Sequence, residues 1–360
     1  MSLSRTDETN LVLPLFEGIF ETPVWETFLR RLLQRTGAQR VRMTVRNGSA
    51  PNQPPLRRRV LADRFADQHD PGEPGPLDQR AYGNLRPNRV YTLDEMRDFN
   101  DAAVREEQDA VLAAAGIGDA RLIRVAGQGE LNAWIVLLHE RPSFGAADSA
   151  LLSALAPAMA VALAIYAQLG TLRLRAETAE ESLALLGIGQ ALLDAEGHVL
   201  VADRLAQEAL PLPAAGSRTQ AAGQAQLAQA CAAMANAPPA TRAVVKLDGR
   251  EGKDLLLRPA RSDPAGLPHP AAAVASFRTG RREDAASAAR VIARSMGLSD
   301  REAALAEAIG QGVPLVDAGR ALQLTTETTR NYSKRIYAKT GAAGQADLVR
   351  MVLTGLAPLA

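Results

Sequence analysis

The segment from Leu298 to Gly341 constrains the fold most strongly, because three helix signals follow one another there with only short connections between them. Ser299 is placed to cap the first helix, and Glu302 follows three residues later, which is the spacing of a capping box. Gly312 fits the end of that helix, where glycine tolerates a positive φ. Thr325 is placed to cap the third helix. The pattern predicts a small all-α unit.

The third predicted helix has a basic side. Arg330, Asn331 and Lys334 share one face of it, and the stretch 325–341 contains four basic residues against one acid, Glu327. The residues that tend to the other face are Thr329, Ile336 and Tyr337. A helix with hydrogen-bond donors along one side is suited to the major groove of DNA. The segment therefore indicates DNA binding.

The same residues resemble the LuxR/FixJ-type helix-turn-helix without insertions or deletions, and we place this domain at 297–357. The opening Leu-Thr-x-Arg-Glu of that family appears from Leu298 as L-S-D-R-E. The resemblance implies that Arg330, Asn331 and Lys334 face bases. The positions that it implies for phosphate contact or structure are Thr328, Arg335 and Lys339, with Thr325 as the cap. Gln345 to Leu353 would form a fourth helix, which commonly carries a dimer contact in the family.

The family pattern is not matched everywhere. Ala318 stands where the family usually has Ile, and Thr329 stands where it has Val, so the core of the unit should be slightly underpacked. Val316 is expected to point inward, and Gly319 lies where a tiny residue lets two helices approach closely. Glu327 suits the helix dipole but repels phosphate.

Residues 11–165 follow the order of a sensor domain. Helical spacing covers Leu11 to Thr36, with Pro23 starting a new turn. Strands are predicted at Arg40–Asn47, Arg121–Ala126 and Asn132–His139, with a helix after Phe144. This order resembles GAF- or PAS-type input domains. The first ten residues should be frayed, and the basic run Arg57–Arg59 is expected on a solvated loop or helix face.

Residues 187–279 resemble a PAS domain. A hairpin is predicted from Ala191–Asp194 and His198–Val201, followed by a helix over 202–210. Further strands are expected at 243–247, 255–259 and 271–278, and a polar linker or connecting helix starts at Gly280. The predicted fold class is a multidomain α+β protein with antiparallel-sheet GAF/PAS-like sensor domains, a long connecting helix over 150–186, and the all-α helix-turn-helix.

The connecting helix has heptad-like spacing, displaced around Gly170. Its first register is Leu152, Leu155, Met159, Ala162, Tyr166 and Leu169, and its second is Leu172, Ala176, Ala179, Leu183 and Leu186. Two interpretations remain open: a parallel seam between two subunits, or a helix packed on its own domain. In the first, the dimer contacts are Leu152, Leu155, Met159, Tyr166 and Leu169. The uncharged run 150–169 also has the length of a membrane span, but its alanines and Pro157 favour burial within protein.

Composition restricts the functional classes. The formal net charge is +1, so a DNA-binding surface must be a local patch. Cys231 is the only cysteine and is expected to be buried, which fits a reducing cytoplasm. The scattered histidines do not predict a metal site, and no cofactor is indicated. The sequence contains no P-loop, nucleophile elbow, HExxH motif or dinucleotide loop, so we do not expect an enzyme.

These observations together predict a cytoplasmic, homodimeric transcriptional regulator that senses a small molecule and reads a pseudo-palindromic site. Expected partners are double-stranded DNA, a second copy of the chain, a small-molecule effector, and RNA polymerase if the protein activates. The N terminus lacks the acidic pair of a phosphoacceptor receiver, and neither tryptophan has the W-x-Y-x-x-x-D-like neighbourhood of an acyl-homoserine-lactone domain. An alternative is a ligand-independent regulator whose sensor-like domains only dimerise or dock a partner protein.

Overall fold

The computed structural model of the chain describes residues 3–48, 52, 54–62, 85–97, 102–127, 129–210, 224–247, 253–260, 270–278 and 285–359. The chain divides into two compact units, Met1–Arg173 and Leu174–Ala360. Each unit contains an antiparallel five-stranded sheet, so the α+β class predicted from the sequence is confirmed. The predicted linker at 280–284 lies outside the described residues.

The sheet of the first unit has the order β2-β1-β5-β4-β3. Its strands are β1 (Arg40–Asn47), β2 (Leu56–Leu61), β3 (Val90–Thr92), β4 (Asp119–Ala126) and β5 (Leu131–His139). Its helices are α1 (Arg5–Asp7), α2 (Leu13–Glu17), α3 (Glu26–Thr36), α4 (Ala102–Ala114) and α5 (Ala146–Leu185). Strands β1, β4 and β5 confirm the prediction. The basic run Arg57–Arg59, in contrast, lies in an edge strand and not on a loop or helix.

The N-terminal segment is anchored rather than frayed. Asp7 is buried and accepts a hydrogen bond from Arg35 Nε at 2.7 Å, so α1 is tied to the end of α3. The helical segment predicted over 11–36 is interrupted near Pro23, where a new turn was expected, and Trp25 adopts a positive φ of 63° immediately before α3. The Trp25 indole is fully buried and donates to the carbonyl of Leu15 at 3.0 Å. These contacts fix the helices that cover one face of the sheet.

Helix α5 belongs to the first unit over its first half. Leu152, Leu155 and Met159 are buried in the N-terminal core, and Tyr166 and Leu169 pack partly buried against it, with the Tyr166 ring 5.0 Å from that of Trp25. The residues predicted as a dimer seam therefore pack on their own domain, which corrects that assignment. By length and composition alone α5 is also apolar enough to cross a membrane, but seven of its residues are buried in this core.

The sheet of the second unit has the order β7-β6-β10-β9-β8, which repeats the relative order of the first. Its strands are β6 (Ile188–Leu193), β7 (Val199–Ala202), β8 (Ala243–Leu247), β9 (Lys253–Pro259) and β10 (Ala273–Arg278), with helices α6 (Arg204–Ala209) and α7 (Gln224–Ala235). The predicted hairpin is confirmed, and Asp194 closes its turn by accepting from the His198 N–H at 2.7 Å. Cys231 is buried as expected; burial, assisted by Asp194, raises the pKa of its thiol to about 12.

The C-terminal helices form a separate core. They are α8 (Ala285–Met296), α9 (Asp300–Gly310), α10 (Leu315–Ala321), α11 (Thr326–Thr340) and α12 (Gln345–Thr354). The predicted inward residues Leu305, Ile309 and Ile336 are fully buried there. Helix α8 corresponds to the connecting helix that was one of the two alternatives after Gly280, and it adds Ile292 to the same core. This arrangement holds α11 in a defined place on the surface of the unit.

Candidate nucleic-acid interface

The ends of the helices around α11 are fixed by local hydrogen bonds that the sequence predicted. Ser299 and Glu302 form a complete capping box at the start of α9. The Thr325 hydroxyl accepts from the Thr328 N–H at 3.2 Å at the start of α11, and Gly341 ends that helix with φ 73°. Because these caps satisfy N–H and C=O groups that a helix leaves open, they set where α11 begins and ends.

Helices α10 and α11 approach each other closely at Gly319. A Cβ atom built on Gly319 would lie 2.1 Å from Thr329 Oγ1, so only glycine fits there. The Thr329 hydroxyl is buried and donates back to the Thr325 carbonyl at 2.9 Å. Ala318 is fully buried at the same contact. Ala318 and Thr329, where the sequence predicts slight underpacking, are thus both buried in this pair of closely approaching helices.

One expectation about this pair is wrong. Val316 was predicted to point inward, but it is exposed, while Leu315 and Ala318 contact the core. Helix α10 begins at Leu315, and its buried residues are Ala318 and Gly319, with Leu315 and Leu322 packed against the core. From that start, the positions on the inner face are 315, 318, 319 and 322, as helical spacing requires.

The side of α11 that faces away from the core is polar and basic. Arg330, Asn331, Lys334 and Arg335 are all exposed. The inner side is formed by Thr329, Ser333 and Ile336, which are buried. Among the residues that the structure describes, no ion pair involves Arg330, Lys334 or Arg335. Their charges are therefore presented to solvent along one face, which is suited to a polyanion.

Lys339 lies on the same helix but has a different role. Its Nζ is 2.6 Å from Glu302 Oε2, and the Glu302 carboxylate is almost completely buried. Burial by itself would raise the pKa of Glu302, but hydrogen bonds from Lys339 and Ser299 outweigh it and hold the pKa below its usual value. Of the two roles implied for Lys339, phosphate contact or structure, this geometry supports the structural one.

Two further groupings were not visible in the sequence. The first is the Glu302–Lys339 pair, whose partners are separated by 37 residues and share no motif. The second is a cluster of Asp194, Glu196 and His198, whose potential ligand atoms lie within 4.8 Å of one another. In the turn between β6 and β7, the Asp194 carboxylate already accepts from the Glu196 and His198 N–H groups. These hydrogen bonds close the turn, and the turn explains why the three side chains lie close together.

Comparison with known proteins identifies distant structural similarity. No family model matches the chain, and no curated protein matches it. The ligand-binding domain of VqsR from Pseudomonas aeruginosa is 17% identical and covers 46% of this chain and 98% of that chain, with a TM-score of 0.33. Bacteriophytochrome RpBphP3 from R. palustris is 12% identical and covers 77% and 62%, with a TM-score of 0.36. Escherichia coli SdiA is 9% identical and covers 96% and 95%, with a TM-score of 0.30. Since these TM-scores are below 0.5, the fold class rests on the strand orders given above.

Proposed function

We propose that this chain is a cytoplasmic transcriptional regulator with a LuxR/FixJ-type helix-turn-helix, and that its GAF/PAS-like domains sense a small molecule. The observation that carries the proposal is the exposed basic face of α11, formed by Arg330, Asn331, Lys334 and Arg335. The proposal includes no catalytic step. Its expected partners are duplex DNA, a second copy of the chain, an effector and, for an activator, RNA polymerase.

The geometry of α11 supports base contact at one part of the helix and phosphate contact at another. Arg330 and Asn331 are adjacent on the exposed side, and their side chains can donate to base edges in the major groove. Arg335 lies further along the helix, where a guanidinium is suited to phosphate contact. The Thr325 cap and the Gly319 contact hold the helix rigidly, so the donors are pre-positioned.

The test begins with in vitro selection of a DNA site that the full-length protein binds. Binding of the native protein and its variants to this site is then measured by fluorescence anisotropy. Arg330→Ala should cost about 1–3 kcal/mol of specific binding if the side chain reads a base edge. Arg335→Ala should weaken binding to all sequences and reduce the salt slope by about one. Arg350→Ala is a matched control, because Arg350 is an exposed cation of the same unit that is paired with Asp347 at 2.8 Å on α12. Unchanged binding in both α11 variants would contradict the proposal.

Dimerisation is proposed for the second half of α5. Residues 170–182 are exposed, and Leu172 continues into the register Ala176, Ala179, Leu183 and Leu186. In that register, Arg175 and Glu180 occupy the g and e positions that face each other in a parallel pair. Opposite charges at these positions favour a parallel arrangement of two copies.

Sedimentation of matched variants tests this seam. Leu172→Asp should shift the protein toward monomer, since it places a charge between the two helices. Leu174→Asp is the control, because Leu174 is 64% exposed against 59% for Leu172 but lies outside the register. Dissociation by both variants, or by neither, would exclude this seam.

A second candidate function is supported by a specific surface. Val244 on β8 and Leu256 on β9 are exposed and directly paired, and Val201 is exposed on β7 at the other edge of the sheet. Contiguous exposed apolar side chains mark docking surfaces. A regulator without a ligand would use such a surface for a partner protein. Native mass spectrometry of the purified protein is the first test: a discrete additional mass supports ligand sensing. A clean mass leaves an empty sensor or a docking protein, which the presence or absence of an apolar cavity then separates.

A further inference from the structure

The second sheet has one face that its domain core does not use. The buried core residues on its strands alternate along the chain, as Ala273, Ala275 and Phe277 do on β10. Successive strand residues point to opposite faces, so the residues between them lie on an outer face. Val274 and Ser276 are therefore outer-face residues of β10, and the same alternation assigns the outer-face residues of the other strands.

One apolar residue from each of the five strands forms a stripe across this outer face. Val201 on β7 is opposite Leu192 on β6, and Leu192 is opposite Val274 on β10. Leu256 on β9 lies diagonally from Val274 and directly opposite Val244 on β8. We call these five residues the outer stripe, which runs from one edge of the sheet to the other.

The outer stripe is not packed in a core. Val201, Val244 and Leu256 are exposed, and Leu192 and Val274 are half-buried. Among the residues that the structure describes, no core cluster includes any of the five or has one of them packed against it. An antiparallel sheet whose outer face meets only water carries polar residues there, so the stripe indicates contact with another molecule.

The charged residues around the outer stripe are mostly basic. By the same alternation, the outer face carries Lys246 on β8, Asp254 and Arg258 on β9, and Arg278 on β10. Within the described parts of the chain, none of these three cations forms an ion pair. With three cations against one carboxylate, two copies of this face would repel each other. The charge therefore favours an acidic partner over a second copy.

The spacing of the outer stripe matches that of an α-helix. Neighbouring strands lie about 4.8 Å apart, so the stripe presents one apolar side chain roughly every 4.8 Å across the sheet. An amphipathic helix presents apolar side chains on one side once per turn of about 5.4 Å. Over the four intervals between the five strands, the two repeats differ by only about 2 Å. A helix of about four turns is accordingly long enough to contact every strand.

We propose that the outer face of the second sheet docks an acidic amphipathic helix of a partner protein. The apolar residues of that helix lie along the outer stripe, and its carboxylates lie toward Lys246, Arg258 and Arg278. This inference rests on the docking role given above as the second candidate function, and it names the chemistry of the partner.

Three fluorescein-labelled peptides of about 15 residues test the proposal by fluorescence anisotropy with the full-length protein. The first is a helix-forming Ala/Glu peptide with one leucine per turn on one side. The second has the same composition in scrambled order, and the third has Lys in place of Glu. We expect saturable binding of the first peptide only, because the second lacks an apolar stripe and the third is repelled. The scrambled peptide also controls for attraction of any acidic peptide to the basic face of α11.

A variant of the outer stripe tests the place of binding. Val244→Ser/Leu256→Ser should weaken binding of the first peptide about tenfold or more, since two apolar side chains no longer become buried. Both residues are exposed, so the core of the domain keeps its side chains. Leu13→Ser/Phe20→Ser is the matched control, because it removes two exposed apolar side chains from the first unit.

Lys246→Gln/Arg278→Gln is an independent variant, and it should weaken binding of the first peptide most at low salt. Equal binding of the first and scrambled peptides, an equal loss in the control, or no loss in either outer-face variant would overturn the proposal. A shift of Val244→Ser/Leu256→Ser toward monomer in sedimentation would also overturn it, because a second copy would then occupy the face. Operator binding is measured separately, so absent peptide binding with intact operator binding would refute this docking site and leave the regulator assignment standing.

Discussion

Replacing Lys339 with Gln is expected to loosen the C-terminal helices without removing a contact to DNA. Lys339 is the only one of the basic residues predicted on α11 whose side chain is paired within the part of the chain that the structure describes, with Nζ 2.6 Å from Glu302 Oε2. Glu302 is almost completely buried at the start of α9. The substitution therefore leaves a buried carboxylate without its counter-ion, while the exposed face of α11 is unchanged.

The magnitude follows from how the pair is placed. Removing one partner of a fully buried ion pair costs about 3–5 kcal/mol. The Lys339 side chain is 44% exposed, so water screens the pair, and Glu302 keeps its hydrogen bond from the Ser299 N–H at 2.9 Å. We therefore expect about 1–2 kcal/mol, which is closer to the loss of one charge-assisted hydrogen bond. This free-energy loss corresponds to a roughly 5–30-fold larger population of the locally unfolded state of the C-terminal helices.

Hydrogen exchange of the amides in α9 and α11 of the full-length protein measures this opening directly. Lys334→Gln is the control, because it removes the same charge from an exposed position of the same helix. It should leave exchange unchanged and weaken DNA binding, whereas Lys339→Gln should do the reverse. Unchanged exchange together with a smaller salt slope in Lys339→Gln would show that Lys339 contacts phosphate and would refute this reasoning.

The pH dependence provides a second check on the same pair. The pKa of Glu302 is lowered in the folded state, so its ionised form stabilises folding above its ordinary value near 4.5. That stabilisation is lost as the pH falls from there through the lowered folded value. The difference in the free energy of unfolding between the native protein and Lys339→Gln should accordingly be fully present at pH 7 and shrink below about pH 4.5. A difference that grows on acidification would contradict the assignment.

Two further predictions concern packing. Gly319→Ala should destabilise the C-terminal unit by about 1–3 kcal/mol in denaturant unfolding, because the added Cβ meets Thr329. Gly344→Ala, where a Cβ meets nothing within 4 Å, should cost much less, and equal effects would argue against the close helix approach. Cys231 should react with a thiol reagent in the native protein orders of magnitude more slowly than in denaturant, since it is fully buried with a pKa raised to about 12. Rapid reaction of the native protein would mean that the face of α7 that carries Cys231 is not packed into the core of the second sheet.

Sequence patterns predicted those elements whose signals are local. The hairpin closed by Asp194 and the caps at Ser299 and Thr325 depend on residues within a few positions of one another, and the structure confirms them. Strand β2 was missed because three consecutive arginines do not alternate. It forms because six of its residues pair with β1, and that partner lies outside any local window. The stems of half-buried arginines then cover the sheet while their charges remain near water.

In the candidate DNA interface, too, features that depend on nearby residues were predicted and a contact between distant residues was not. The exposed positions of Arg330, Asn331 and Lys334 follow from helical spacing alone, and the structure places them as spacing requires. The structural role of Lys339 does not follow from spacing, because its partner Glu302 belongs to a different helix. When a capping-box acid also forms an ion pair with a distant residue, the residues around it in the sequence do not indicate the pair.

Helix α5 shows why a heptad pattern alone does not identify the partner of a helix. Apolar residues at spacings of three and four form one stripe, and that stripe is buried equally well against a sheet domain or a second helix. Leu155 is fully buried in its own domain, whereas Leu172 is largely exposed in the same helix. The displacement of the register around Gly170 coincides with this change from buried to exposed residues. A subunit seam is therefore expected only beyond Gly170, and the comparison of Leu172→Asp with Leu174→Asp tests that half alone.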